Sequence, residues 1–275
     1  MTCVTNLKIF PTSNKGRLSG RLPVWIALFV LLLSACAPVR PNKGEPVSQG
    51  FADSLMQEWV DNSELISSVQ GLARVEVKAP MTSINGGQVI IAEKPDRLRA
   101  ETLNPFGMPL VSLTASAGQL GVLLTAQNLY YTGAATPENL QQFAHIPLNV
   151  PDLVSLLLYQ PPLIEAWKVA AYVLKDGGWL VVRYATLQRQ ELVFNQSRQL
   201  VEVSYFKNND LLVKAKYAKF MEQGAFYPAL LTLDLPEKYA TIILEFSDVE
   251  TNGQLRPGVF DVKPPVGAKV VYLPK

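Results

Sequence analysis

Leu231-Thr232-Leu233-Asp234-Leu235 is followed, after Pro236-Glu237-Lys238-Tyr239, by Ala240-Thr241-Ile242-Ile243-Leu244-Glu245-Phe246-Ser247. In both runs apolar side chains return at every second position. Successive side chains of a strand point to opposite faces, so this period marks strands with one dry and one wet face. The same reading extends outward. Val201, Val203 and Tyr205 alternate with Glu202 and Ser204, and Val111, Leu113 and Ala115 with Ser112, Thr114 and Ser116. Arg97-Leu98-Arg99-Ala100-Glu101-Thr102 follows the same rule. Gly86-Gly87, Pro95-Asp96, Gly118, Asp176-Gly177-Gly178, Asn208-Asn209-Asp210 and Asn252-Gly253 read as the turns between strands. Asp176-Gly177-Gly178, between Tyr172-Val173-Leu174 and Trp179-Leu180-Val181-Val182, is the clearest hairpin. At usual strand lengths about eleven strands fit between residue 72 and the end.

Two segments depart from this period. In residues 52–69, Leu55, Trp59, Ile66 and Val69 fall on one helical face, with Met56 and Leu65 beside it and Gly71 as the stop. In residues 137–160, Pro137 and Pro151 each suit the first turn of a short helix, where a missing N–H is harmless. The second of these carries Leu153, Val154, Leu156, Leu157 and Leu158, apolar nearly all round, so it should be sandwiched. The expected fold is mainly β with α. It is a single curved antiparallel sheet forming a half-open barrel, with one helix outside its N-terminal end and two short helices lidding the concave side.

The N-terminal region reads differently. Val24-Trp25-Ile26-Ala27-Leu28-Phe29-Val30-Leu31-Leu32-Leu33 is uninterruptedly apolar, preceded by Lys8, Lys15, Arg17 and Arg21, with no acidic residue in the first 35. A positive region, a short apolar run and small residues before a cut describe a secretory signal. The run is about half the length that a spanning helix needs. Leu33-Ser34-Ala35-Cys36 resembles the bacterial lipoprotein signal. That resemblance implies cleavage before Cys36, a covalent lipid (palmitate among its acyl chains) on Cys36, and, with Ala37 rather than Asp next, sorting to the outer membrane. Pro38, Pro41, Gly44, Pro46 and Gly50 mark a flexible tether. The chain thus divides into a signal (1–35), a tether with acylated Cys36 (36–51) and a folded domain (52–275).

The leader holds four of the 25 Lys and Arg and none of the 23 Asp and Glu, so the remainder carries a net charge of about −2 and the pI of 8.4 reflects the leader. No basic patch points to nucleic acid. The only cysteines are Cys3, in the leader, and Cys36, taken by lipid, so no disulfide is expected and the core must hold the fold alone. With 48 % apolar residues it can.

No catalytic chemistry is legible. His145, in Ala144-His145-Ile146-Pro147, is the only histidine, and no Gly-x-Ser-x-Gly elbow, phosphate loop or metal-ligand spacing accompanies it. The acidic residues fall mostly on outward positions. The expectation is a non-enzymatic protein with no metal and no cofactor beyond the lipid on Cys36.

Leu103-Asn104-Pro105-Phe106-Gly107-Met108-Pro109-Leu110 joins two expected strands yet is apolar, with two prolines and a glycine fixing its course. Either its tip folds back onto the core, or Pro105, Phe106, Gly107 and Met108 present a large apolar surface to a membrane or a lipid.

From this loop onward the chain resembles the LolB-type outer-membrane lipoprotein receptors. Asn104-Pro105-Phe106-Gly107, an alternating strand, a glycine turn, another strand, a short helix, Ile146-Pro147-Leu148 and Leu156-Leu157-Leu158-Tyr159-Gln160-Pro161-Pro162 follow in the order and spacing of that family. Phe106 stands where the family has Leu, and Pro161-Pro162 where it has Gly-x-Pro. Phe226-Tyr227-Pro228 and Arg256-Pro257-Gly258-Val259-Phe260-Asp261 are more similar to uncharacterised relatives of the fold. The resemblance implies an eleven-stranded half-barrel whose helices lid a cavity for acyl chains. It also implies a monomer, lipid-anchored in the outer membrane and facing the periplasm, that receives acylated lipoprotein cargo from a soluble periplasmic carrier and inserts it. Phe106 would then aid delivery. The cavity lining expected is Val89, Ile91, Leu98, Val111, Leu113, Leu153, Leu156 and Leu157. A non-enzymatic scaffold subunit of another envelope assembly is the alternative use of the same fold.

Overall fold

The computed structural model describes residues 44–80, 82–221 and 227–274. The expected signal, Cys36 and Phe226 lie outside the described residues. The alternating runs become β1 (Ser68–Ala79), β2 (Thr82–Glu93), β3 (Arg97–Leu103), β4 (Pro109–Ser116), β5 (Gln119–Leu124), β6 (Leu129–Ala134) and β7 (Lys168–Val173). They continue as β8 (Trp179–Tyr184), β9 (Gln188–Phe194), β10 (Leu200–Lys207), β11 (Asp210–Met221), β12 (Tyr227–Leu235), β13 (Ala240–Thr251) and β14 (Lys269–Tyr272). All join one open sheet in the order β14-β6-β5-β4-β3-β2-β1-β13-β12-β11-β10-β9-β8-β7. The helices are α1 (Gln49–Glu64), α2 (Pro137–Ala144) and α3 (Val150–Leu157).

The half-barrel holds, but its count and some boundaries differ from the sequence reading. The described sheet has 14 strands, not eleven. The short β14 is too brief to show a period, and it pairs with β6 in parallel, so the sheet is not wholly antiparallel. Gly86-Gly87 is no turn: it lies inside β2, opposite Val75 and Arg74 of β1. Helix α1 ends at Glu64, and Ile66 and Val69 are buried outside it, Val69 as part of β1. Gly71 therefore stops no helix. It sits in β1 where a Cβ would fall 2.0 Å from the Asp248 carbonyl oxygen, so only glycine allows β13 to approach there. Nor is α1 outside the sheet, because Ala52, Leu55 and Trp59 share the concave core with α2 and α3. The tether is also shorter than its expected end at residue 51. Gly44 and Val47 donate N–H bonds to Val173 and Ala171 on the free edge of β7.

Local chemistry accounts for the helices. Ser48, Thr136 and Asn149 cap the three N-termini by accepting from the backbone N–H three residues on. Pro137 and Pro151 occupy first turns as expected. The Asp176-Gly177-Gly178 hairpin also forms, with Gly177 at φ 82°.

A final segment straps the convex face before β14. Arg99 donates to the Val259 carbonyl, the Arg97 guanidinium lies 5.3 Å over the Phe260 ring, and the Tyr130 hydroxyl donates to the Val262 carbonyl at 2.7 Å. This cover explains why apolar residues occur on both faces of β2.

Candidate functional site: an apolar hollow under the helical lid

Strand register decides which side chains meet inside. Ile90 lies opposite Ala100, Ala100 opposite Leu113, Val75 opposite Leu244 and Leu233 opposite Ile242. These rows face the concave side. Together with Leu153 and Leu157 of α3, and Phe143 to Ile146 at the end of α2 and just after it, they enclose a cavity of about 290 Å³. Its polar lining residues are Gln88, Thr102 and His145. Gln88 and Thr102 are direct register partners, so they place polar groups at the end of the hollow next to the β3–β4 loop.

Five expected lining residues are brought together there: Leu98, Val111, Leu113, Leu153 and Leu157. Three are not. Val89 and Ile91 pair with Glu101 and Arg99, which face the strapped convex side, so both point away from the hollow. Leu156 is buried on another face of α3. Val75, Val77, Ile84, Ile90, Leu231, Leu233, Ile242 and Leu244 line the cavity in addition to the expected set. Period-two alternation marks the last four as one face. What the sequence does not supply is the β1–β13 pairing that brings that face to the hollow.

His145 is half-buried at the cavity. It caps α2 in a left-handed conformation, φ 59°, with its N–H on the Gln141 carbonyl. Among the described residues no group of three or more His, Cys, Asp or Glu could hold a metal. No described helix is long and apolar enough to cross a membrane.

The β3–β4 loop settles the two alternatives left by its sequence. It does not fold back: Phe106 is 87 % exposed, and Met108 and Leu110 are exposed with it. The exposure is built rather than floppy. The Asn104 side-chain oxygen accepts from the N–H groups of Phe106 and Met108, both at 2.9 Å. The Asn104 N–H donates to the Met108 carbonyl and the Gly107 N–H to the Asn104 carbonyl, both at 2.9 Å. Gly107, at φ 79°, supplies the left-handed residue that the turn requires. Asn104 is thus the organiser of the loop. Its Asn-Pro-x-Gly context carries that signal, since Asn side chains bond their own backbone two residues on.

Beyond the hollow, towards β9–β11, the concavity is filled. Tyr159 packs edge-on against Tyr217 with ring centres 5.0 Å apart. The Tyr217 and Tyr227 hydroxyls donate to the Leu156 and Leu157 carbonyls at the C-terminal end of α3, Tyr159 donates to Leu200, and Tyr205 to Pro162. Helix carbonyls at a C-terminus have no partner within the helix, and these hydroxyls supply one. Burial holds all four hydroxyls well above the usual tyrosine value.

No family model matches the chain, and no curated protein matches it. Solved structures do. It is similar to an outer membrane lipoprotein-sorting protein domain from Vibrio parahaemolyticus, at 14 % identity and TM-score 0.50, over 76 % of this chain and 95 % of that one. It is similar to a DUF1329 family protein from Desulfovibrio piger, at 11 % identity and TM-score 0.51, over 77 % and 96 %. A LolA superfamily protein from Nitrosomonas europaea aligns at 14 % identity over 74 % and 96 %, with TM-score 0.46. At these identities the first two likenesses establish the fold, a half-barrel of the lipoprotein-sorting type, and leave the LolB-type receptor role open.

Proposed function

We propose that this protein binds acyl chains in its concave hollow and takes part in handling lipoproteins at the outer membrane. The observation that carries the proposal is the pairing of an apolar cavity with a rigid loop, rooted at its lining residues Thr102 and Val111, that holds Phe106 out in water. Each methylene moved from water into an apolar site is worth about 0.8 kcal/mol. Burying even six would supply roughly 5 kcal/mol by that measure, with no catalytic group required. The cavity volume lies at the lower edge of ordinary ligand sites. Phe106 entering a bilayer adds about 1.5–3 kcal/mol, enough to turn the mouth towards lipid but not to anchor the domain. The anchor in this reading is acylated Cys36. The protein then faces the periplasm and accepts acylated cargo from a soluble carrier. The similar Vibrio domain is itself named for lipoprotein sorting, which supports the same reading.

Two measurements test this. Palmitate should displace a fluorescent fatty acid from the purified protein, and failure to bind either would leave only a scaffold role for the fold. Phe106→Glu should leave the unfolding midpoint in place while acylated lipoproteins accumulate away from the outer membrane. Normal sorting in that variant would remove the loop from the mechanism.

A further inference from the structure

Antiparallel pairing places the β1–β2, β3–β4, β8–β9, β10–β11 and β12–β13 connections at one end of the sheet, the end carrying Phe106. The segment leading into β7 reaches the same end, because Lys168 pairs with Tyr184. At this end, across the sheet from the β3–β4 loop, a second apolar cluster is exposed. Trp167 is 72 % exposed, and Leu163 and Leu187 are exposed beside it. The cluster is one contiguous set of loops: the Trp167 N–H donates to the Tyr184 carbonyl, and the Asn208 N–H to the Leu187 carbonyl. Lys168 and Lys207 flank it, and Lys238 with exposed Tyr239 continues it on the β12–β13 connection.

We infer that this Trp167–Leu187 rim is a second membrane-contact surface, one that lies on an anionic lipid bilayer. Three observations choose that occupant. First, the composition is that of a membrane interface, with Trp, Tyr and Leu between lysines. Glu165, Asp210 and Glu237 are also present, but the opposite end of the sheet is far more acidic. There α1 exposes Asp53, Glu58, Asp61 and Glu64, and its Glu58 pairs with Arg198 of the β9–β10 turn. An anionic surface therefore attracts one end and repels the other. Second, the tether fits. Gly44 is bonded at the far end of β7. The eight-residue step from Cys36 reaches roughly 26–29 Å at full extension, and the six residues of β7 span about 20 Å. A lipid on Cys36 can thus sit level with Trp167. Third, this rim and the Phe106 loop flank the same concavity, so contact at both would press its open end to the bilayer. The inference uses the proposed acylation of Cys36 but does not depend on acyl-chain binding in the hollow.

The test uses the full chain on phosphatidylcholine vesicles with and without phosphatidylglycerol, containing brominated lipid. The readout is the difference in tryptophan emission between the native protein and Trp167→Phe, which isolates Trp167 from the other tryptophans. With phosphatidylglycerol present this emission should be quenched by the brominated chains and shielded from aqueous iodide. Lys168→Gln and Lys207→Gln should each shift the docked fraction about fivefold towards undocked, and high salt should do the same. A probe tryptophan placed by Ser197→Trp, at the acidic end, should remain open to iodide. Trp167 emission that stays open to iodide on anionic vesicles overturns the inference. If Phe106→Trp is quenched while Trp167 is not, the loop alone meets the membrane. If Trp167 is quenched but palmitate does not bind, the rim stands and the carrier reading falls.

Discussion

The concave face of this sheet is two different environments made from the same kinds of residue. Towards β1–β4 it is hollow, lined by Val, Ile and Leu side chains that end at a space of about 290 Å³. Towards β9–β11 it is solid, with Phe194, Leu192, Val203 and Ala215 fully buried beneath Tyr159 and Tyr217. The difference is made by what the lid contributes. Helix α3 turns Leu153 and Leu157 towards the hollow without filling it, while its C-terminal end is fastened to the solid side by tyrosine hydroxyls. One half is thus a fixed wall, and the other keeps apolar surface unpartnered. A protein interior normally closes such space, because unfilled volume forfeits dispersion contacts. Apolar surface kept free beside a mouth is what a binding site requires.

If the solid half is as closed as this, raising the pH should attack it first, and this is the largest effect expected. An unfolded tyrosine loses its proton near pH 10. Burial raises the four hydroxyls of Tyr159, Tyr205, Tyr217 and Tyr227 above that value, so they keep their protons in the folded state. Above about pH 10 the unfolded state binds fewer protons, and stability falls as pH rises. Below it both states are protonated and nothing changes. One unit above pH 10 the loss is about 1.4 kcal/mol per tyrosine, roughly 5 kcal/mol in all, comparable with a domain's whole stability. Urea midpoints should be level to about pH 9 and collapse by about pH 11, with tyrosinate absorbance from these residues appearing only on unfolding. A midpoint that stays level would mean that water reaches the hydroxyls.

Next in size is Phe194→Ala. The ring is fully buried, 6.5 Å from Trp59 and nearly perpendicular to it, and it joins α1 to β9. Its removal leaves a void that the neighbouring strands cannot close, at a cost of about 3–5 kcal/mol by urea unfolding. A cost under about 1 kcal/mol would show that this half relaxes as a liquid would, and the contrast would weaken.

Much of this was legible in the sequence, and the misses have a common cause. Alternation placed β4, β12 and β13, and the Asp176-Gly177-Gly178 turn and the first-turn prolines placed the hairpin and the lid helices. The apolar β3–β4 loop was legible as an oddity, though which way it pointed was not. Val89-Ile90-Ile91 could not be assigned, because the C-terminal strap makes the convex side of β2 dry as well, so neither parity looked polar. Gly71 carried the mark of a helix stop and turned out to serve the close approach of a strand distant in sequence. The tyrosines were equally opaque, since nothing local marks a hydroxyl that will meet a helix end seventy residues away in sequence. What fails is information about non-local pairing, the part of a β fold that local pattern does not encode.

The smallest effect is the sharpest comparison, because it makes one chemical change on each side. Ala215 is fully buried in β11, between Val203 and Leu233, whereas Ala100 of β3 faces the hollow between Ile90 and Leu113. Ala215→Leu adds three carbons where no volume exists, forces its neighbours off their rotamers and should cost about 1–3 kcal/mol. Ala100→Leu adds the same carbons where volume is waiting. Its new contacts offset any strain, so stability should stay within about 0.5 kcal/mol of the native protein or rise. The same variant takes space from a bound chain, so palmitate affinity should fall as stability holds. Equal destabilisation in the two variants would mean that the hollow closes in solution, and an unchanged affinity in Ala100→Leu would move the acyl site elsewhere.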